Sequence, residues 1–264
     1  MEIDAEVLAH YEEGQEHRRL TSGPSLELLR TRALLDRFLP RPPARVLDVG
    51  GGSGVYASWL SGRGYHVHLI DPVPLHREQA KADGRFSVAA GDARSLAEGD
   101  GSYDAVLLLG PLYHLTDRAD RIRALAEAGR VTRPGGIVVA AVISRYASTF
   151  DGFFRGFIDQ PGFPAVMTED LTTGQHRNPG SDPRLFTTAY FHDSAGIARE
   201  VTDSGLRLRH VLPIEGPLQW APGIQGRLSD PGQRQLILDT LAAMEHDPAI
   251  AGASSHLLAI GQRP

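Results

Sequence analysis

The sequence predicts a doubly wound α/β fold on a mostly parallel sheet, and three observations carry that prediction. From Arg45 onward, short apolar runs alternate with stretches of helical period, the pattern of successive βαβ units. The run Val106-Leu107-Leu108-Leu109 is apolar without alternation, as expected of a central strand covered on both faces. The first strand, Val46-Leu47-Asp48-Val49, leads into Gly50-Gly51-Gly52-Ser53-Gly54 and then a helix, so the backbone can turn sharply where no Cβ stands in the way.

Residues 1–23 are polar with scattered apolar positions (Val7, Leu8, Tyr11, Leu20) and read as an arm or lid. Pro24 and Ser25 open a helix carrying Leu26, Leu29, Ala33, Leu34, Leu35 and Phe38 at helical spacing, which Pro40 and Pro42-Pro43 stop. Strands are predicted at 45–49, 66–70, 86–90, 104–109 and 136–143, with helices near 54–63, 75–83 and 117–130. Residues 148–192 are rich in Gly, Pro, Phe and Thr without a long period, and read as a cap inserted after the fifth strand. A helix at 194–204, a strand at 206–214, a loop-rich stretch to about 232, a helix at 233–246 and a strand at 255–260 follow. The expected organisation is an N-terminal helical arm (1–40), a ligand-binding core (41–147), the cap (148–192) and the C-terminal part of the core (193–264).

Composition narrows the function. The 27 Lys and Arg against 32 Asp and Glu give a net charge of -5, and no basic run suits a phosphate backbone, so a nucleic-acid partner is not expected. There is no cysteine, which removes disulfides and thiolate chemistry and fits a cytoplasmic protein. The first twenty residues lack an apolar core, and no later stretch approaches the roughly 20 apolar residues of a membrane span. A soluble, unexported protein is therefore expected. The His and Asp residues show no tight metal-ligand spacing, so no metal is expected either.

The ends of the first four strands carry the chemistry. After Asp48 and the loop glycines Gly50, Gly52 and Gly54, the helix N-terminus offers N–H groups and a dipole to an anionic group. His68-Leu69-Ile70-Asp71 ends the second strand in an acid about twenty residues after the first glycine, suited to accept hydrogen bonds from both hydroxyls of a ribose. Ala90-Gly91-Asp92-Ala93-Arg94 follows the third strand, and Gly110-Pro111-Leu112-Tyr113-His114 the fourth. In doubly wound sheets ligands bind along this edge. A nicotinamide-cofactor reading fails in the strict G-x-G-x-x-G register from Gly50, whose sixth position is Val55. The looser G-x-G-x-x-A form from Gly52 is met by Gly54 and Ala57, so Asp48 and the later strand ends weigh against that reading.

Together with Arg133-Pro134-Gly135-Gly136 before the fifth strand, these motifs resemble the class I S-adenosylmethionine-dependent methyltransferases over residues 46–143. The resemblance implies a Rossmann-like seven-stranded sheet with an antiparallel last strand, supplied by 206–214 and 255–260. It implies S-adenosylmethionine as cofactor and methyl transfer to a small-molecule acceptor through oxygen, nitrogen or carbon. Asp48 would orient the loop and the cofactor's amino group, Gly50, Gly52 and Gly54 would pack against it, Asp71 would hold the ribose, and Asp92 with Ala93 would read adenine, beside Gly110. Tyr11 and Arg19 would reach the cofactor carboxylate from the arm. Alternatives are an enzyme using S-adenosylmethionine for cyclisation or decarboxylation, and a non-catalytic binding module on the same scaffold.

For the acceptor, methyl transfer needs mainly positioning, and a base only where a proton must leave. His114 is the first candidate because it follows the fourth strand end beside Tyr113. The polar runs Thr172–Asn178 and Thr187–His192 in the cap add His176 and Tyr190 as candidate catalytic residues, with Arg177, Asn178 and His192 as further polar contacts. Phe150, Phe153, Phe154, Phe157 and Phe163 either line an apolar pocket or form the cap's own small core.

Overall fold

The computed structural model describes residues 25–178 and 185–264, and its elements alternate as the apolar pattern requires. Helix α1 (Leu26–Phe38) is capped by the Ser25 hydroxyl, which accepts from the Leu28 N–H, with Glu27 in the first turn and Arg37 in the last. Then come β1 (Arg45–Val49), α2 (Val55–Ser61), β2 (His66–Ile70), α3 (Pro74–Lys81), β3 (Ser87–Ala89), β4 (Tyr103–Leu108), the single turn α4 (Pro111–His114) and α5 (Arg118–Val131). Strand β5 spans Thr132–Ile143. Beyond it lie α6 (Ala147–Phe154), a 3₁₀ turn (Phe157–Asp159), α7 (Phe163–Thr173), β6 (Gln175–His176) and β7 (Ala189–Tyr190). The chain ends with α8 (Ser194–Asp203), β8 (Arg207–Pro213), a second 3₁₀ turn (Gly216–Trp220), α9 (Ile224–Ser229), α10 (Pro231–Met244), α11 (Pro248–Ala251) and β9 (His256–Gln262).

The seven-stranded sheet has the order β3-β2-β1-β4-β5-β9-β8. Strands β1 to β5 pair in parallel, and β9 runs antiparallel between β5 and β8. The last two strands are thus the pair expected from 206–214 and 255–260. Strand order reverses between β1 and β4, which opens a crevice at their carboxyl ends.

Strand alternation assigns residues to two cores. Leu47, Val49, Val106, Leu108, Val138 and Ala140 face α5 and α8, through Leu125, Ala128, Ile197 and Val201. Val46, Ala105, Leu107, Val139 and Leu258 face α1 to α3, through Leu34, Leu35, Leu60 and Ala80. Both faces of β4 are therefore buried, which is why its sequence does not alternate. The same parity places Asp48 with Val46, on the α1–α3 face and at the last turn before the crevice.

The departures from the sequence reading have local causes. Strand β5 begins at Thr132, ahead of 136, because Thr132 already pairs with Tyr103 before a bulge at 133–136, where Gly135 turns at φ 76° and its N–H donates to the Arg263 carbonyl. The segment after β5 is richer in structure than its irregular sequence suggests. Helix α7 buries only Phe163 and Asp170, so no apolar stripe of period 3.6 marks it. Its boundaries are set by Gly162 at φ 86° and Gly174 at φ 76° instead. Likewise 215–232 contains a 3₁₀ turn and the six-residue α9, too short to show a period.

Candidate active site

The crevice between β1 and β4 holds a cavity of about 400 Å³ lined by the glycine loop and by the ends of β1, β2, β3 and β4. Its floor is the loop after β1. Gly50, Gly52 and Gly54 have φ of 66°, 57° and 85°, a region that side chains other than glycine enter at a cost. The Gly50 N–H donates to the Ile70 carbonyl at 2.7 Å, which ties the loop to β2. Their freedom from Cβ serves different ends: one on Gly54 would strike the Phe86 ring at 2.7 Å, whereas one on Gly52 meets nothing within 4 Å. Gly51, outside the alternate-glycine pattern, is needed as well, because a Cβ there would come within 2.7 Å of an Asp48 carboxylate oxygen. The unbroken glycine triplet was the available sign.

Asp48 is 1% exposed, and neither carboxylate oxygen has a hydrogen-bond partner among the described residues. Burial, with the negative charge of Asp71 adding to it, pushes its carboxyl up to about 7. Asp71, equally buried, is held from three sides. Its oxygens accept from the Gly52 N–H at 2.9 Å and the Val73 N–H at 2.8 Å, and His76 Nδ1 lies 3.3 Å away. His76, five residues on and buried, escaped the sequence reading because its helical position looks like surface.

At the end of β3, Asp92 accepts from the Arg94 backbone N–H at 2.8 Å and from its guanidinium at 2.7 Å. Burial opposes the Asp92 charge, but the bonded guanidinium outweighs it and holds the carboxyl below its ordinary value. Arg94 also reaches Asp120 at 2.7 Å, so an ion triad forms this wall beside the buried Ala93. At the end of β4, Gly110 is close-packed: a Cβ would lie 3.1 Å from the Gly50 carbonyl oxygen. Tyr113 and His114 complete the lining, their rings 4.6 Å apart, with Phe186 behind them at 5.9 and 5.6 Å.

The structure thus brings Asp48, Gly50, Gly52, Asp71, Asp92, Ala93, Gly110 and His114 around one cavity. Gly54 stands behind it as the α2 cap. Tyr11 and Arg19 lie outside the described residues. His176 and Tyr190, which the sequence reading offers as catalytic candidates, do not line the cavity. His176 is 2% exposed, its Nδ1 is 2.9 Å from Asp170, its Nε2 is 3.3 Å from the Phe186 carbonyl, and its ring stacks on Phe191. Both nitrogens are committed, so it has none left for a substrate. Tyr190 lies under the Arg121 guanidinium, 3.7 Å from its ring centre, and edge-on to His192. Arg121, His192 and Glu200 form a buried network in which Glu200, despite the opposing effect of burial, is drawn down to about 2 by His192 and Arg121. His176 and Tyr190 thus pair with buried groups of the protein itself.

Residues 47–140 match the family described as "Methyltransferase domain". A ubiquinone biosynthesis O-methyltransferase from Methylocella silvestris is 35% identical over 188 residues, covering 68% of this chain and 72% of that protein. A demethylmenaquinone methyltransferase from Beutenbergia cavernae is 35% identical over 120 residues, 45% of this chain and 49% of that one. Among solved structures, a SAM-dependent methyltransferase from Methanosarcina mazei aligns with a TM-score of 0.59 at 16% identity, covering 87% of this chain and 96% of that chain. At such identity the likeness is one of fold.

Proposed function

Because the chain belongs to the class I S-adenosylmethionine-dependent methyltransferases, we propose that its acceptor is a small molecule with a planar ring, methylated beside Tyr113 and His114. The observation that carries this reading is one continuous cavity running from the glycine loop to those two rings. The two curated relatives are named for ubiquinone biosynthesis and for demethylmenaquinone, which supports a ring-bearing acceptor.

The residues present fit the cofactor. The buried carboxylate of Asp48, without a hydrogen-bond partner among the described residues, suits a cationic amino group, and the open space over Gly52 suits close approach of the ligand to the backbone. Bound S-adenosylmethionine supplies a methyl group on a sulfonium and leaves as S-adenosylhomocysteine. Asp48 would hold the amino group, and Gly50, Gly52 and Gly110 would leave room for the cofactor. Asp71 would accept from the ribose hydroxyls while its bond to the Gly52 N–H keeps it in place. Asp92, pinned by Arg94, would present its remaining acceptor capacity to the adenine amino group, over Ala93. The Tyr113 and His114 rings would orient the acceptor, and the His114 imidazole would take the proton of an acceptor hydroxyl.

The test is product analysis with S-adenosylmethionine and a panel of catechols, phenols and hydroquinones. S-adenosylhomocysteine should appear with a ring hydroxyl acceptor, and His114→Ala should lower turnover by roughly 10²-fold while leaving cofactor affinity within about twofold. S-adenosylhomocysteine formed only with a protein or transfer RNA acceptor would overturn the small-molecule reading.

A further inference from the structure

Outside the cofactor cavity, a second group of polar side chains gathers where α1 meets the β8–β9 edge of the sheet. Glu27 stands in the first turn of α1, Glu215 two residues beyond β8, and His256 at the start of β9. One ligand atom from each lies within 4.8 Å of the others. Glu215 is buried and the other two are half-buried. The residues stand far apart in the chain, so no spacing motif announces them.

The group is built rather than incidental. Glu215 Oε2 accepts from the Ser254 hydroxyl at 3.0 Å and the His256 backbone N–H at 3.1 Å, which fixes the carboxylate. Its other oxygen lies 2.5 Å from His256 Nδ1. Ser254 is itself held, accepting from the Glu215 and Gly216 N–H groups at 3.2 and 3.0 Å. Hydrogen bonds of this kind are what orient metal-binding side chains. A favourable interaction with the helix dipole accounts for an acid at Glu27, but not for a buried carboxylate and an imidazole converging on it. Asp151 of α6 is near enough to interact electrostatically with both Glu215 and His256, adding a further carboxylate, while Arg155 pairs with Asp151 at 3.1 Å.

We propose that Glu27, Glu215 and His256 form a binding site for a divalent transition-metal ion. Two carboxylates and one imidazole are the donor set that Zn²⁺ and Mn²⁺ accept. Donors sharing such an ion at roughly 2.0–2.2 Å stand about 3 Å or more apart, so the ion would take the place of the proton between Glu215 Oε1 and His256 Nδ1, and those two side chains would spread around it as Glu27 turns in. The cation offsets the repulsion between the carboxylates and fastens the first turn of α1 to the sheet edge. This site is separate from the cofactor cavity, and its test needs neither S-adenosylmethionine nor an acceptor.

The experiment is calorimetric titration of the full chain, first dialysed against EDTA, with ZnCl₂, MnCl₂ and MgCl₂. We expect one equivalent of Zn²⁺ or Mn²⁺ to bind, with Mg²⁺ at least tenfold weaker. Glu27→Gln should weaken the transition-metal site by at least tenfold and His256→Asn by at least a hundredfold. Glu27 is half-buried on a helix, so its amide variant preserves the fold, and unchanged S-adenosylmethionine affinity serves as the control. Absence of stoichiometric binding by the wild type, or wild-type affinity in both variants, would overturn the proposal.

Discussion

Asp48 on the β1 side of the sheet and Asp170 in the segment after β5 are both aspartates almost without exposure, at 1% and 0%, but their surroundings differ. Asp170 is bonded to the Ser148 hydroxyl and to His176. Asp48 has no donor at all among the described residues. The same contrast runs through both regions: beyond β5 the buried carboxylates Asp170 and Glu200 are each paired, Asp170 with His176 and Glu200 with His192 and with Arg121 of α5. The β1–β4 crevice leaves an acid and a backbone surface open to a cavity. A buried polar group without a partner costs stability unless a ligand completes it, so openness separates the binding region from the scaffold better than polarity does.

The largest effect expected from this contrast lies on the closed side. His176→Ala leaves Asp170 fully buried with one partner fewer and removes the stack on Phe191, which should cost roughly 3–5 kcal/mol. Thermal denaturation should show that loss, with turnover per folded molecule and cofactor affinity preserved. Turnover that falls while the melting temperature holds would make His176 a site residue and break the comparison.

Next comes a change on the open side that spares the fold. Gly52 sits at φ 57°, and a Cβ there touches nothing. Gly52→Val therefore adds roughly 1–2 kcal/mol of backbone strain but no clash, while filling space that the cofactor needs. We expect a folded protein whose S-adenosylmethionine affinity is down by about a hundredfold or more in calorimetry. Normal binding by a folded variant would remove the loop from the cofactor site.

What the sequence made legible follows the same division. The crevice is built from runs of adjacent residues, Asp48 to Gly54, Gly91 to Arg94 and Gly110 to His114, because each strand end contributes a local stretch to one sheet edge. Such signals survive in one dimension. On the same criterion of polarity the Thr172–Asn178 run reads as part of the acceptor site. Its histidine turned inward to an aspartate six residues earlier, a pairing that α7 creates and that the missing apolar period of α7 concealed. Glu27, Glu215 and His256 meet only because β9 inserts between β5 and β8 and α1 packs beside them, so nothing short of the topology brings them together.

The smallest effect, and the most direct test of openness, is the pH dependence of cofactor binding. Desolvation, reinforced by Asp71, raises the Asp48 carboxyl from 3.8 to about 7 in the ligand-free protein. A raised acid binds its proton more tightly in the folded state. Its contribution to stability is therefore complete below about 3.8 and is lost as pH climbs through about 7. The ionised form is the one that suits an ammonium group, so binding must expel the proton wherever Asp48 still carries it. S-adenosylmethionine affinity should therefore rise by up to about tenfold per pH unit between pH 5.5 and 6.5 and flatten near 7. That window lies below the ordinary α-amino value of about 7.7–8.0, so the ligand's own charge stays constant across it. Asp48→Asn should bind more weakly and with no such slope. A wild-type profile already flat across the window would mean that Asp48 is ionised without its ligand, and would erase the distinction drawn between it and Asp170.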